Sequence, residues 1–222
     1  MKQFSDKVAV ITGAASGIGR GLAKRCAEEK MKVVIADVDE NTLIQFQREL
    51  NAMGAGVLAV AADVSKQDDV DTLAKRTLAA YGAVHLVFNN AGVYCEDKAV
   101  WEYTLADWQW LLSVNFWGVL HGIRTFVPIM LDQDMEGHIV NTSSIAGLAS
   151  YHGSAIYKVT KHAILSLSET LYHDLAMRNS KIRVSVICPG QVSTNLRDSE
   201  RLRPSALQNE PSKKTWSNEE EI

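Results

Sequence analysis

The stretch VITGAASGIGRGL, residues 10–22, joins the end of a short apolar run to the start of a helical pattern. Its glycines follow the spacing G-x-x-x-G-x-G. Glycine permits a sharp turn and a close approach of ligand to backbone, and a helix N-terminus offers free N–H groups to an anion. The stretch therefore predicts a pyrophosphate-binding turn, with a purely structural turn as the alternative. The candidate contacts are Gly13, Ser16, Gly17, Ile18 and Gly19.

Short apolar runs recur along the chain and alternate with helical patterns. The runs are rich in Val and Ile and mostly continuous, which is typical of strands buried on both faces of a parallel sheet. The alternation predicts right-handed crossovers and an α/β fold with a doubly wound parallel sheet, a Rossmann fold of six strands and five helices. The runs lie at 8–12, 32–37, 56–63, 85–90, 138–144 and 183–190, and the helical patterns at 17–30, 39–53, 65–81, 104–131 and 154–178.

Polar residues before three of the helical patterns are candidate N-caps. Asp39 and Ser65 each precede a helical stretch, and Thr104 is followed three residues later by an acid, as in a capping box. After residue 195 the composition becomes polar and shows no apolar periodicity. We expect one catalytic and dinucleotide-binding domain over residues 1–195, and a flexible substrate flap or disordered segment over 196–222.

The composition limits the classes of partner. The chain has 222 residues, 46% of them hydrophobic and 22% charged, and a formal net charge of −3. No basic run favours nucleic acid, no apolar run reaches the roughly 18 residues of a membrane helix, and no secretory signal precedes the first strand. The cysteines lie outside any CxxC pair and the histidines show no metal-ligand spacing. We expect a cytoplasmic protein with reduced thiols, no metal and a small-molecule partner.

Asp37 ends the second apolar run, twenty residues after Gly17. A carboxylate at this position can accept hydrogen bonds from an adenosine ribose and repels a 2′-phosphate. The nearby cation, Arg20, lies a turn into the helix. The pattern therefore favours NAD over NADP as the cofactor, and a simple strand-end cap is the alternative.

Tyr157 and Lys161 are four residues apart in a helical stretch and therefore share one face. A free phenol, with a pKa near 10, is a poor base at neutral pH. We expect Lys161, helped by the charge of an oxidised nicotinamide, to lower the pKa of Tyr157 and make it a general acid and base. A half-buried tyrosine beside a snorkelling lysine is the alternative.

Three motifs carry a resemblance to a known family. TGAASGIG (12–19), NNAG (89–92) and YKVTK (157–161) together resemble the classical short-chain dehydrogenase/reductase (SDR) family, in its order and spacing, over residues 7 to about 195. The resemblance implies an NAD(P)-dependent oxidoreductase acting on a secondary alcohol or ketone. It also implies a catalytic serine thirteen residues before the tyrosine, which is Ser144 and not Ser143, and a helix asparagine in a proton relay, Asn115.

The same resemblance implies further cofactor contacts at the ends of strands. Asn90 would line the adenine side of the groove, and Asp63 and Val64 would hold the adenine ring. Val192 and Thr194, in PGQVST, would hold the nicotinamide carboxamide, and Tyr157 and Lys161 would also contact the cofactor. All of these positions follow strands, where open α/β sheets bind ligands.

The chain also departs from the family pattern, because no further helix and no usual seventh strand follow the polar segment. The sixth strand is then expected to be a sheet edge.

Two alternatives to the enzyme stay open, a non-catalytic NAD-binding scaffold or sensor and an NADPH-dependent acyl-thioester ketoreductase. The resemblance further implies a homodimer through the 104–131 and 154–178 helices. Apolar residues suggest a hydrophobic alcohol or ketone as substrate, namely Tyr94, Leu148, Ala149 and Val192.

Overall fold

The computed structural model describes residues 3–209 and contains a parallel sheet with helices on both faces. The strand order is β3-β2-β1-β4-β5-β6. The strands are β1 Val8–Thr12, β2 Lys32–Asp37, β3 Val57–Ala61, β4 Leu86–Asn89, β5 Gly137–Thr142 and β6 Ile182–Ile187. The α helices of these residues are α1 Gly17–Glu28, α2 Glu40–Ala52, α3 Gln67–Tyr81, α4 Leu105–Leu111, α5 Gly118–Asp132 and α6 Ala155–Met177.

The prediction of a doubly wound parallel sheet is confirmed. β1 lies between β2 and β4, and all five of its residues are buried. Val10 belongs to a core with Leu73 and Ile164 on the face covered by α3, α5 and α6, while Ile11 belongs to a core with Phe46 on the face covered by α1 and α2. Successive side chains of one strand thus serve opposite faces, which explains why its sequence is continuously apolar.

The predicted helix over 104–131 is interrupted. Thr104 and Asp107 form the expected capping box at the start of α4. A π-helical turn, Leu112–Trp117, then separates α4 from α5 and carries Asn115. A single π turn within an α helix inserts one extra residue and is frequent at functional sites. The wider turn directs Asn115 toward the backbone of Val93 rather than along a regular helix face.

The predicted caps of α2 and α3 differ in outcome. Asp39 caps α2 as expected, because its carboxylate accepts the N–H of Thr42 at 3.2 Å. The prediction for Ser65 is wrong. Its hydroxyl donates instead to Asp63 at 2.7 Å, and α3 begins two residues later, after Lys66. The acceptor at the end of β3 therefore competes with the helix for this hydroxyl.

Residues 196–222 were expected to be a flexible flap or disordered, but over 195–209 the structure contains short 3-10 turns, Asn195–Leu202 and Ser205–Leu207. The guanidinium of Arg203, 7% exposed, donates to Asp107 at 2.6 Å and lies over the Trp110 ring at 5.0 Å. This 195–209 segment is held by a buried ion pair rather than by an apolar stripe, so its sequence lacks hydrophobic periodicity. The remainder of the predicted flap, 210–222, lies outside the described residues.

Within residues 3–209, β6 forms an edge of the sheet, as expected. It pairs with β5 in parallel register, Ile182 opposite Gly137 and Ile187 opposite Thr142, but only its first residue is fully buried. In the same residues, no helix has the length and apolar character that crossing a bilayer requires.

Candidate active site

A cleft of about 890 Å³ lies at the carboxyl ends of the strands, where open α/β sheets bind their ligands. We call its two ends the Asp37 end, beside the glycine turn, and the Tyr157 end. Most of the predicted site residues line this cleft, and Gly19 and Asn115 support it from behind. The predicted residues that line it are Gly13, Ser16, Gly17, Ile18, Asp37, Asp63, Val64, Asn90, Ser144, Tyr157, Lys161, Val192 and Thr194.

The glycine turn needs glycine at two positions for different reasons. Gly13 has φ +64°, and a Cβ there would lie 2.7 Å from the Cα of Ala91. A Cβ on Gly19 would overlap the carbonyl oxygen of Gly13. α1 therefore starts very close to β1, and its first N–H groups, which have no acceptor within the helix, face the cleft. This cradle fits a pyrophosphate.

Asn90, a predicted cofactor contact, also has a structural role in the protein. Its amide nitrogen donates to the carbonyl oxygen of Thr12 at 3.1 Å, and its amide oxygen accepts from Thr142 at 3.3 Å. The side chain is thus committed to joining β1 and β5 behind the glycine turn. It lines the cleft, but its contribution is to hold the shape of that turn.

Asp37 also braces the turn. One carboxylate oxygen accepts the N–H of Ala15 at 2.9 Å and the other accepts the N–H of Asp39 at 3.0 Å. Burial raises the pKa of this carboxyl, and the N–H groups of Asp39 and Ala15 oppose that rise. Each carboxylate oxygen has a second lone pair, so these bonds leave Asp37 able to accept from a ribose hydroxyl.

Asp63 and Val64 follow β3 at the same end of the cleft. The carboxylate of Asp63 accepts the N–H of Ser65 at 3.0 Å and lies 3.5 Å from the ammonium of Lys66. The carbonyl oxygen of Val64 is within 2.9 Å of the His121 ring, and its side chain packs on Gly118. α5 thus fixes the wall to which an adenine ring would bind.

Tyr157 and Ser144 meet at the other end. The Ser144 hydroxyl accepts the N–H of Ala146 at 3.1 Å and donates to the carbonyl oxygen of Pro189 at 3.4 Å. It also lies near enough to the phenol of Tyr157 to lower the pKa of that phenol. The neighbouring serine, Ser143, is buried and donates to the carbonyl oxygen of Lys161 at 2.8 Å. Both serines line the cleft, but Ser143 is engaged with α6 through the Lys161 carbonyl oxygen, whereas Ser144 lies beside Tyr157.

The predicted lowering of the Tyr157 pKa includes the charge of a bound nicotinamide and stays a prediction, whereas in the protein alone this pKa is raised. Burial raises this pKa above its usual value, the hydrogen bond from Ser144 opposes the rise, and Tyr151 adds to it. The Lys161 ammonium lies 5.4 Å from the centre of the Tyr157 ring, over its face rather than at its oxygen. In the protein alone, loss of water around the phenol therefore outweighs the effect of Ser144, and Tyr157 is a neutral phenol at neutral pH.

Lys161 is 3% exposed, and its ammonium donates to the carbonyl oxygen of Thr142 at 2.9 Å. Burial lowers its pKa to about 8. The sequence predicts the closeness of Lys161 to Tyr157 but not the depth at which it is buried. The lysine is consequently held in one position by the end of β5, with its remaining protons available to a ligand in the cleft.

Asn115 is fully buried in the π turn. Its amide accepts the N–H of Val93 at 2.8 Å and donates to the carbonyl oxygen of the same residue at 3.0 Å. A Cβ on Gly92 would lie 3.3 Å from the Asn115 amide oxygen and 3.6 Å from the Lys161 ammonium, so the three residues converge. Asn115 therefore fixes the chain after β4 directly beside the lysine.

The 195–209 segment and the turn before it lie along the open side of the cleft. The methyl group of Thr194 lies 3.0 Å from the point where a Cβ on Gly17 would be, so this turn lies against the glycine turn. Val192 is 51% exposed at the mouth. Leu148 and Ala149, predicted as pocket walls, are exposed and lie outside the lining.

The structure adds polar residues that the sequence analysis missed. Asp97 accepts from both the Tyr94 hydroxyl, at 2.7 Å, and the Ser154 hydroxyl. Arg197 lies 5.8 Å from the centre of the Tyr94 ring, and that ring meets Tyr157 edge-on at 5.4 Å. The substrate side of the Tyr157 end is therefore partly polar. No sequence signal marked Asp97 or Arg197, because neither belongs to a motif.

The family model for short chain dehydrogenase matches residues 7–204. The chain belongs to this family. It is 37% identical to a CLA biosynthesis dehydrogenase/reductase of Lactiplantibacillus plantarum over 205 residues, covering 92% of this chain and 71% of that protein.

Two solved SDR structures are similar to this one. A short chain dehydrogenase/reductase from Burkholderia phymatum in complex with NAD has a TM-score of 0.94 and 50% identity, with 96% of this chain and 75% of that chain covered. A 3-ketoacyl-(acyl-carrier-protein) reductase from Brucella melitensis complexed with NADH has a TM-score of 0.83 and 34% identity, with 87% and 79% covered. The chain is therefore an SDR oxidoreductase with a Rossmann fold.

Proposed function

We propose that this SDR protein transfers a hydride between NAD(H) and a secondary alcohol or ketone. The observation that carries the proposal is the meeting of Ser144, Tyr157 and Lys161 at one end of a cleft whose other end holds the glycine turn and Asp37. A dinucleotide laid along strand ends reaches from one end to the other, so its nicotinamide ring would lie beside the phenol. When bound, the nicotinamide supplies the hydride acceptor or donor.

The chain's own groups handle the proton. In alcohol oxidation, the phenol of Tyr157 first gives its own proton to water. Ser144 then holds the substrate oxygen, and the phenolate takes the hydroxyl proton as the hydride leaves the adjacent carbon for the oxidised nicotinamide, giving a ketone. In ketone reduction, the neutral phenol of Tyr157 gives its proton to the carbonyl oxygen that receives the hydride on carbon. Because burial keeps the phenol protonated in the protein alone, the free enzyme already has the form that reduction needs.

Lys161 and Asn115 support this step. The Lys161 ammonium, fixed by Thr142, would bond the nicotinamide ribose and stabilise negative charge on the phenol. Asn115, beside Gly92 and the lysine, would position a water that carries the proton away. Both roles are proposed for residues whose positions are set by backbone hydrogen bonds.

NAD(H) is proposed as the preferred cofactor because the Asp37 carboxylate lies at the end of the cleft that receives the adenosine ribose. The NAD complex of the Burkholderia relative and the NADH complex of the Brucella reductase agree with this choice. The remaining proposed contacts are the glycine turn, Asp63, Val64, Val192 and Thr194.

A homodimer is proposed through α5 and α6. Trp117 stands just before α5 and is 45% exposed, and Val159 and Tyr172 on α6 are 47% and 50% exposed. Large apolar side chains on neighbouring helices of one face are typical of a subunit interface. The free cysteines of the described residues support the proposed cytoplasmic, reducing environment.

The test has two stages on the purified protein. Fluorescence titration with NADH and NADPH measures binding, and a panel of secondary alcohols and ketones, including acyl-thioester ketones, measures hydride transfer at 340 nm. We expect tighter NADH binding and turnover of at least one panel member. Binding without any turnover would favour the non-catalytic scaffold, and tighter NADPH binding with turnover of the thioester would favour the acyl-thioester ketoreductase.

A further inference from the structure

Arg201 reaches the Asp37 end of the cleft from the far end of the chain. Its guanidinium donates to the Asp39 carboxylate at 3.1 Å, although 162 positions separate the two residues. Asp37, Asp39 and Arg201 all line the cleft, and the N–H of Asp39 bonds the Asp37 carboxylate. An ion pair thus stands beside the carboxylate to which we assign the ribose contact.

The sequence pointed to a different cation. Arg20 is paired with Glu49 and stacks on the Phe46 ring at 4.1 Å, away from the cleft. The charges beside the proposed ribose site are the carboxylates of Asp37 and Asp39 and the guanidinium of Arg201. Asp63, at the same end of the cleft, is paired with Lys66 and adds no net charge. The sum is −1, which disfavours a phosphate group, and neutralising Asp39 would bring it to zero.

We propose that Arg201 and Asp39 together set the cofactor selectivity of this protein. While Asp39 holds Arg201, the guanidinium is engaged and the two carboxylates repel a 2′-phosphate. When Asp39 is uncharged, Arg201 is free to bind that phosphate of NADP(H) through its forked N–H groups. The inference rests on the proposed dinucleotide function and deepens it.

The pair is built so that it can exchange partners. The Arg201 and Asp39 side chains are 50% and 20% exposed, and exposed ion pairs contribute only about 0–1 kcal/mol. Two residues away, Arg203 is buried against Asp107 and holds the segment in place. Arg201 can therefore change partner while its backbone stays beside the cleft.

Asp39→Asn is the sharpest variant, because asparagine also accepts the Thr42 N–H and so keeps the cap of α2. We expect the Kd for NADPH to fall about five- to tenfold, from removal of one charge near the phosphate, with a change below about twofold for NADH. Adding Arg201→Gln should abolish the gain for NADPH. Both constants are measured by fluorescence titration, and unchanged melting temperatures establish that the variants are folded.

Asp134→Asn is the matched control, since it removes the same charge from an exposed pair with Lys181 at 2.8 Å, far from the cleft. It should leave both constants unchanged. The inference is overturned when Asp39→Asn leaves the NADPH to NADH ratio as it was, or when the gain survives Arg201→Gln. Failure of the unaltered protein to bind either nucleotide overturns the proposed function itself, and the inference with it.

Discussion

At the Tyr157 end of the cleft, Lys161 and Asn115 are 3% and 0% exposed, whereas at the Asp37 end the Arg201 side chain is 50% exposed. Lys161 and Asn115 are bonded to backbone atoms, of Thr142 and Val93, and the backbone of a sheet and its neighbouring turn does not rearrange. Arg201 is bonded to a side chain across the cleft. The proposed chemistry is thus held rigidly by the fold, while the proposed selectivity depends on charges that can be changed without disturbing it.

The largest expected effect is at the buried end. Tyr157→Phe should lower turnover of an identified substrate by about 10²–10⁴-fold, because the proton has no carrier, while the Kd for NADH stays within about twofold. Steady-state kinetics and fluorescence titration measure the two quantities. Tyr81→Phe, which removes a hydroxyl bonded to the Gly56 carbonyl oxygen at 3.1 Å, is the control. Retained turnover in Tyr157→Phe would disprove the role assigned to the phenol.

Two of the three arginines of the 195–209 segment, Arg201 and Arg203, test the same contrast in stability. Arg203→Gln leaves Asp107 buried with its strongest partner removed, and should cost about 3–4 kcal/mol of unfolding free energy. Arg201→Gln breaks an exposed pair and should cost less than about 1 kcal/mol. Hydrogen bonds from Asn209 and Arg203 outweigh burial and hold the pKa of Asp107 at about 2. Equal losses in urea-induced unfolding would contradict the contrast.

Lys161 makes stability depend on pH. Burial lowers its pKa from 10.5 to about 8, so between pH 8 and 10.5 the folded protein has released a proton that the unfolded chain keeps. The unfolding free energy of the protein should therefore rise relative to Lys161→Met across this window, by up to about 3 kcal/mol. Urea-induced unfolding at several pH values measures the difference. The exposed Lys75→Met should show no such trend, and a flat difference for Lys161→Met would show that the ammonium is solvated.

Asn115→Ala should have the smallest of these effects. It leaves the N–H and carbonyl groups of Val93 without partners, at a cost of about 2 kcal/mol of unfolding free energy. Asn51→Ala, on the exposed side of α2, should change it by less than about 0.5 kcal/mol. If the two substitutions cost the same in thermal unfolding, Asn115 does not hold the turn after β4.

Local patterns were sufficient to predict much of the fold. The doubly wound parallel sheet follows from continuous apolar runs that alternate with helical stretches, and the glycine spacing, Asp39 and the Thr104 capping box are each a few residues long. The prediction of Ser65 as an N-cap was wrong because its hydroxyl has a competing acceptor in Asp63, which the capping pattern does not include. The prediction of an uninterrupted helix over 104–131 was wrong, because the π turn depends on contacts of Asn115 with Val93, 22 residues earlier.

The candidate site divides in the same way. Tyr157 and Lys161 lie close together as their spacing suggested, and Ser144 lies beside them as the family resemblance implied, but the pKa of Tyr157 depends on burial that helix periodicity does not describe. Arg201 and Arg203 find partners 162 and 96 positions away. A polar segment does not reveal such partners, because its charged residues follow no periodic pattern that would show which side of the segment packs against the rest of the protein.

The π turn sets how far α5 is rotated about the helix axis relative to α4, with which it forms one continuous rod. One added residue rotates everything after it by about 100° relative to an uninterrupted helix. Trp110, before the turn, packs with Ile156, whereas Phe126, after it, packs into the core under the sheet. Removing a single residue between Leu112 and Trp117 would swing the apolar side of α5 away from the sheet, so this rod cannot be shortened there without also being turned.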